Sequence, residues 1–335
     1  MTAVIETRGL GKKYGGRRGK WALTDCTLTI PAGHVVGLVG PNGAGKTTLL
    51  NLATGMLAPT TGSIEVLGNK PAASAAQLAR VGFVAQDTPV YTSLSVEDHL
   101  RFGAHLNPGW DAALAHRRID QLDLDPRQKA GQLSGGQRAQ LALTLAIAKR
   151  PELLILDEPI ASLDPLARRE FLQVLMEATA ESGISVVMSS HLVADLERIS
   201  DYLVVLVSSQ VRLAGETDDL LATHHLLTGA RCDAGDLPAV LQVIAESHTD
   251  RQSTFLVRSG SACSDTLGGG AHGTGAHGTG ALGLASVSLD SLSLDSLGLD
   301  TGWSVAAVGL EDLVLAYMGP AATAGRGRIL LEVPR

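Results

Sequence analysis

A glycine-rich segment at residues 40–47 constrains the fold of this chain more than any other feature. Its residues are Gly40, Pro41, Asn42, Gly43, Ala44, Gly45, Lys46 and Thr47, and they match the phosphate-binding loop pattern. An apolar run at residues 34–39 reads as a buried strand, and a helix is expected from residue 46 to about residue 54. Glycines let backbone N–H groups approach an anion, and the start of the helix attracts negative charge. The order of strand, glycine loop and helix therefore predicts an α/β nucleotide-binding fold.

A pair of acidic residues supplies the second half of such a site. Asp157 and Glu158 directly follow an apolar run at residues 153–156, and ligands bind at the carboxyl ends of strands in open α/β sheets. We expect Lys46 to reach the β- and γ-phosphates of a nucleotide. The Thr47 hydroxyl would bind Mg²⁺, and Asp157 would do so through water. Glu158 is suited to polarise the attacking water.

A third segment, Leu133-Ser134-Gly135-Gly136-Gln137, introduces another helix. Ser134 can act as the N-cap of that helix. Two consecutive glycines exceed what a cap requires, since glycine costs backbone entropy. They suit an anion that approaches the exposed helix start closely. Two phosphate-binding segments for one nucleotide predict a head-to-tail pair of subunits, in which each lends its second segment to the γ-phosphate of the other.

Composition excludes several classes of protein. The chain has 335 residues, 45% of them hydrophobic, a net charge of −7 and a pI near 5.8, which disfavours general nucleic-acid binding. The three cysteines, Cys26, Cys232 and Cys263, are odd in number and far apart, as in a reduced cytosolic protein. Neither a stretch of about 18 apolar residues nor a signal peptide is visible, so we expect a cytoplasmic chain.

Apolar patterning predicts the elements of the first 222 residues. Expected strands are residues 4–10 and 23–30, which form a hairpin, and residues 34–39, 62–67, 81–85, 153–156, 184–188 and 202–207, the last closing this unit. Expected helices are residues 46–54, residues 95–122 with a break at 107–109, residues 137–149 and residues 166–180.

The sequence changes character beyond about residue 223. Residues 237–245, 254–258, 304–308 and 310–317 are expected to form a small α/β module. Low-complexity sequence at residues 268–300 interrupts it and reads as a flexible insertion. His272 and His277 in this insertion are metal-ligand candidates, but a solvated linker is the favoured interpretation. The predicted domains are residues 1–222 and 223–319, with the insertion at about 264–302, followed by a tail at 320–335.

Together, the phosphate loop, the segment at 133–137 and the run Leu153-Leu154-Ile155-Leu156-Asp157-Glu158-Pro159 resemble the ATP-binding subunits of ABC transporters. The resemblance covers about residues 3–220. It implies an α/β P-loop ATPase core with a mixed sheet, an antiparallel β subdomain and an α-helical subdomain that carries the signature segment 133–137. The small C-terminal α/β module would follow this core.

The same resemblance implies roles for individual residues. Catalysis would fall to Glu158, His191 and Gln86, with His191 holding the γ-phosphate and Gln86 contacting Mg²⁺ and water while it senses a membrane partner. Tyr14 would stack on adenine, although Trp21 is a rival. ATP would bind Tyr14, Gly40, Pro41, Asn42, Gly43, Ala44, Gly45, Lys46, Thr47, Thr48, Ser134, Gly135, Gly136, Gln137 and Asp164, the last across the dimer. Mg²⁺ would bind Thr47, Gln86 and Asp157. Ile160 departs from the family, which usually has Thr or a small residue there.

The implied partners are a separate integral membrane permease and a second ATPase subunit, in a homodimer or heterodimer, with no nucleic acid. The chain would then lie peripherally on the inner face of the cell membrane. Residues 309–318 and 107–111 resemble ATPase subunits of bacterial exporters of drugs or antibiotics, so export is expected. An importer subunit, a soluble ABC ATPase of translation or DNA repair, a small-molecule phosphotransferase and a non-hydrolysing regulator are the alternatives. Two ATP-binding domains or a long coiled-coil insertion would be typical of the soluble ABC ATPases, and neither is present.

Overall fold

The computed structural model describes residues 2–15, 19–87, 90–238, 240–259 and 302–319. It divides the chain into two units, Met1–Glu216 and Thr217–Arg335. The predicted low-complexity insertion, with His272 and His277, and the predicted tail at 320–335 lie outside the described residues.

The first unit contains a three-stranded antiparallel sheet. Its strands are β1 (Ala3–Tyr14), β2 (Lys20–Pro31) and β4 (Thr61–Val66), in the order β2-β1-β4. The predicted hairpin is confirmed, and both of its strands extend beyond the predicted bounds. Alternating burial along the second half of β2 places Cys26, Leu28 and Ile30 in the core, because successive side chains in a strand point to opposite faces.

A six-stranded sheet forms the centre of this unit. It comprises β3 (Val35–Val39), β5 (Val81–Val84), β6 (Leu153–Asp157), β7 (Ser185–Ser190), β8 (Tyr202–Val207) and β9 (Gln210–Glu216), in the order β5-β6-β7-β3-β8-β9. All neighbours are parallel except β8 and β9. The strands β3, β6 and β7 are buried along their whole length, as expected for parallel strands covered on both faces.

The prediction that residues 202–207 form the last strand of the unit is wrong. The strand β9 follows β8 after a turn at Ser208 and Ser209, whose φ angles are 49° and 69°. Positive φ at both turn positions is typical of tight hairpins, which usually place Asn or Gly there. Two serines give no such signal, so the hairpin was not visible in the sequence.

The described helices of this unit are α1 (Lys46–Ala53), α2 (Ala75–Ala79), α3 (Val96–Leu106), α4 (Ala112–Gln121), α5 (Gly135–Ala148), α6 (Pro165–Ser182) and α7 (Val193–Leu196). The predicted break at residues 107–109 separates α3 from α4. Helices α3 and α4 both contact α5, so the segment at 133–137 lies at the start of a helix within a helical region. Together with the two sheets, this region confirms the predicted fold class.

The core holds the glycine loop in place through α1. Leu49, Leu50 and Leu52 are each at most 2% exposed and belong to one apolar cluster with Leu38 and Ile155. Burial of a leucine side chain contributes roughly 1.5–3 kcal/mol. The helix contacts β2, β4 and β6, and its first residue, Lys46, is therefore fixed relative to both sheets.

The second unit is the small α/β module. It contains α8 (Thr217–Thr223), β10 (His224–Ala230), β11 (Leu241–His248), β12 (Gln252–Ser259), β13 (Ser304–Ala307) and α9 (Leu310–Met318). The strands form an antiparallel sheet in the order β11-β12-β10-β13. Leu227, Phe255 and Val257 are completely buried and form a core of its own. The strand β10 was not predicted, and the segment 237–245 supplies the start of β11.

Candidate nucleotide-binding site

The glycine loop between β3 and α1 has a conformation that only glycine adopts easily. The φ angles of Gly43 and Gly45 are 80° and 109°, in the region that L-residues rarely occupy. A Cβ atom on Gly40 would lie 2.2 Å from the carbonyl oxygen of Leu206, and one on Gly45 would lie 2.4 Å from that of Ala22. The loop is therefore built with glycines where the backbone turns and where it packs closely.

Lys46 is folded back along this loop. Its side chain is 5% exposed, and its Nζ donates a hydrogen bond of 2.8 Å to the carbonyl oxygen of Gly40. The same Nζ lies 3.4 Å from Oε1 of Glu158. The ammonium group is thus held at the carboxyl ends of β3 and β6, where the two predicted halves of the site meet.

Asp157 and Thr47, both predicted ligands of Mg²⁺, lie within hydrogen-bond distance of each other. The Thr47 hydroxyl donates to Asp157 Oδ1 over 3.2 Å, and the Ser189 hydroxyl donates to the same oxygen over 2.7 Å. The backbone N–H of Glu158 donates to Ser189 Oγ over 2.9 Å. Ser189 fixes both acidic residues, and sequence reasoning missed this role. The pairing of Asp157 with Ser189 in the register of β6 and β7 is the signal that reveals it.

The oxygens of Thr47 and Asp157 are donors that suit Mg²⁺, which usually takes one or two protein ligands together with substrate phosphates. Within the described residues, no group of three or more His, Cys, Asp or Glu side chains could hold a metal. The two oxygens therefore fit a Mg²⁺ ion whose other ligands include phosphate oxygens, and not an ion coordinated by protein alone.

Glu158 lies between two basic groups. Its Oε2 is 3.1 Å from His191 Nδ1, while its Oε1 faces Lys46. The Glu158 side chain is 11% exposed and that of His191 is 42% exposed. Glu158 also has a φ of 46°, and such backbone strain is concentrated at functional sites. The three side chains form one cluster at the edge of a cleft.

This cleft has a volume of ≈ 580 Å³, within the range of roughly 300–1,000 Å³ typical of ligand pockets. It is lined by Tyr14, Lys20, Trp21, Ala22, Asn42, Gly43, Gly45, Lys46, Thr47, Thr48, Gln86, Glu158 and His191. Lys20 and Ala22 were not predicted. Tyr14 and Trp21 are 45% and 36% exposed, so both aromatic rings are available at the cleft.

The segment at 133–137 is not among the residues that line this cleft. Helix α5 begins at Gly135, earlier than predicted, and Ser134 and Gln137 form a reciprocal capping box with hydrogen bonds of 3.2 Å and 2.9 Å. A Cβ atom on Gly136 would lie 3.0 Å from the Cβ of Ala167, whereas one on Gly135 would meet nothing within 4 Å. Packing within the chain accounts for Gly136 but gives no reason for a glycine at 135.

Gly135 borders a second cleft. The residues that line this cleft are Gln86, Asp87, Val90, Thr92, Gly135, Arg138, Ala161 and Ser162. Gln86 lines both clefts. Ser134, Gly136, Gln137 and Asp164 are not among the residues that line the first cleft, and Asp164 instead caps α6 by accepting from the N–H groups of Leu166 and Ala167, each over 3.0 Å. Within one subunit, the two predicted phosphate-binding segments therefore line different clefts.

A largely parallel sheet with a glycine loop, a buried lysine and a strand-end Asp-Glu pair defines a P-loop ATPase. Residues 23–161 match the family model described as ABC transporter. The chain is 33% identical to the thiamine import ATP-binding protein ThiQ of Salmonella choleraesuis, over 58% of this chain and 86% of that protein. It is 32% identical to the sulfate/thiosulfate import ATP-binding protein CysA of Methylococcus capsulatus, over 75% of this chain and 78% of that protein.

Solved structures agree with these relatives. A structure described as the ATP-binding subunit of an ABC transporter has a TM-score of 0.57 and 28% identity, and the match covers 65% of this chain and 91% of that one. The structure of cbiO1 from Clostridium perfringens, described as part of the ABC transporter complex cbiONQ, has a TM-score of 0.57 and 26% identity, with coverage of 66% and 92%. The chain belongs to the ABC transporter family as an ATP-binding protein, and it is an ATPase. None of the described helices has the length and hydrophobicity of a membrane span.

Proposed function

We propose that two ATPase subunits bind MgATP head to tail and hydrolyse it in two shared sites. The observation that carries this proposal is the separation of the two phosphate-binding segments. Lys46 and Glu158 line one cleft, and Gly135 lines another with Ala161 and Ser162. The exposed start of α5 favours an anion, and Gly135 leaves space for one. A second subunit that presents its own Gly135 would complete the site around the γ-phosphate.

Glu158 is the proposed general base. It would take a proton from the attacking water as the oxygen of that water bonds to the γ-phosphorus and the bond to the β-phosphate oxygen breaks. His191, 3.1 Å from the carboxylate, would hold the γ-phosphate beside it, and Lys46 would bind the β- and γ-phosphates. Positioning and electrostatic stabilisation carry most of the catalysis in such phosphoryl transfers.

Thr47 and Asp157 are the residues proposed to hold Mg²⁺, with Gln86 beside them in the cleft. When bound, the metal would neutralise charge on the phosphates. Ser189 keeps the Asp157 carboxylate in position for this role through its hydrogen bond of 2.7 Å.

The proposed purpose of hydrolysis is transport through a separate membrane permease. The names of ThiQ and CysA describe import, which favours import for this chain. Export is the second candidate, favoured by the resemblance of residues 309–318, which include α9 (Leu310–Met318), to exporter subunits. Either direction requires the ATPase to work on the cytoplasmic side of the membrane.

Reconstitution with a candidate permease tests the proposal. We expect the full chain to co-purify in detergent with a multi-span membrane protein encoded beside it, and its Mg²⁺-dependent ATP hydrolysis to rise when both are placed in proteoliposomes. Substrate accumulation inside or outside the vesicles would then assign the direction. A chain that binds no membrane protein, and whose hydrolysis responds to ribosomes or DNA, would contradict the transport function.

A further inference from the structure

One guanidinium group joins the two segments that follow Glu158 and His191 along the chain. Arg168 lies in the first turn of α6, and its Nη2 donates to the carbonyl oxygen of Leu163 over 3.4 Å. Its Nη1 lies 3.5 Å from Oδ2 of Asp195 in α7. Leu163 belongs to the segment that precedes α6, and Asp195 follows His191 by four residues.

The two segments lead to different surfaces. Ala161 and Ser162 are exposed and line the second cleft together with Gly135, on the side proposed to face the partner subunit. His191 contacts Glu158 in the first cleft. The ion pair therefore joins the segment that carries Ala161 and Ser162 to the segment that follows His191.

The burial and the hydrogen bonding of this ion pair suit a role in positioning other residues better than a role in stabilising the fold. The side chains of Arg168 and Asp195 are 25% and 12% exposed, so burial of both charges is costly. Among the described residues, Arg168 Nε and Asp195 Oδ2 have no hydrogen-bond partner. A partly buried ion pair with incomplete hydrogen bonding contributes little net stability, yet removal of one partner leaves an uncompensated charge.

We propose that Arg168 and Asp195 form a positioning pair that aligns His191 with Glu158 when a partner subunit docks on residues 161–164. This inference rests on the proposed head-to-tail dimer. Neither residue lines the ATP cleft, so the pair acts through His191 and not by contact with the nucleotide. Its loss should slow hydrolysis while ATP binding to one subunit stays unchanged.

The test measures Arg168→Ala, Asp195→Asn and the double variant that carries both of these substitutions. Arg169→Ala is the control. Arg169 is the next residue of α6, is exposed, and controls for loss of a positive charge on the same helix. We expect kcat to fall roughly tenfold or more in each single variant, since small misplacements of catalytic groups have large effects, with KM for ATP unchanged. The double variant should be no slower than the slower single variant, Arg168→Lys should recover part of the rate, and Arg169→Ala should match the unsubstituted chain.

A second measurement does not depend on turnover. In a Glu158→Gln background, Arg168→Ala should weaken ATP-dependent dimerisation, measured by light scattering, while the affinity for ATP stays the same. Unchanged kcat and dimerisation, additive losses in the double variant, or a parallel loss of ATP affinity would overturn the positioning role. Failure of the unsubstituted chain to dimerise or to hydrolyse MgATP would instead contradict the proposed function.

Discussion

Replacement of Glu158 by Gln should stop hydrolysis without weakening ATP binding. The substitution keeps the size of the side chain but removes its negative charge and its ability to take a proton. Glu158 Oε1 lies 3.4 Å from Lys46 Nζ. At an effective dielectric constant of about 20, two unit charges at that distance attract by about 5 kcal/mol before desolvation is counted. Neutralising Glu158 frees the buried ammonium of Lys46 for the phosphates, so ATP affinity should be equal or higher.

Loss of the general base should lower kcat by roughly 10²–10⁴-fold. Phosphate release measures kcat, equilibrium binding of ATP measures affinity, and light scattering with MgATP should show a stable dimer. Glu170→Gln is the matched control, because Glu170 is an exposed acidic residue on α6. Normal turnover in Glu158→Gln would refute the assignment of the base, and a loss of ATP affinity would refute the competition between Glu158 and phosphate for Lys46.

Three further predictions concern other parts of the chain. Tyr14→Ala should weaken ATP binding by about 1–3 kcal/mol, the value of one stacked base, and Trp21→Ala by less; the reverse order in a binding titration would assign the stacking to Trp21. Burial lowers the pKa of His224 from 6.5 to about 4. As pH falls, His224 therefore takes up a proton at a higher pH in the unfolded chain than in the folded chain. The free energy of unfolding of the second unit should therefore drop by about 3 kcal/mol between pH 6.5 and 4; a urea titration in which His224→Phe keeps the same pH slope would contradict this. Ser208→Asn should raise the free energy of unfolding by about 0.5 kcal/mol, because Asn tolerates the positive φ of 49° better than Ser; an unchanged or lower urea midpoint would contradict the strain.

The sequence predicts those parts of the fold that have strong local patterns. The glycine loop, the buried runs of β3, β6 and β7, and the long helix α6 all carry such patterns. Helix α2 has five residues, too few for an apolar period to show. The strand β10 begins with His224 and His225, both buried, and polar residues in a core cannot be recognised before their partners are known.

The residues of the site also divide into those that a local sequence pattern predicts and those that it does not. Lys46, Thr47, Asp157 and Glu158 were predicted together because each belongs to a motif, and they meet in the structure. Ser189 was missed because its contact with Asp157 depends on the register between β6 and β7. The ion pair of Arg168 and Asp195 joins residues far apart in sequence, and no local pattern marks either of them.

The head-to-tail arrangement of two subunits is the central claim, and site-directed cross-linking tests it most directly. Cys26, Cys232 and Cys263 are first replaced by Ala in the Glu158→Gln chain, and Asn42→Cys is introduced into one variant and Gly135→Cys into another. Both positions are exposed. With MgATP and an oxidant, we expect a disulfide-linked dimer when the two variants are mixed and none when either is treated alone. A chain that carries both cysteines and forms the disulfide within a monomer would contradict the claim, because one subunit would then bring both segments to its own nucleotide.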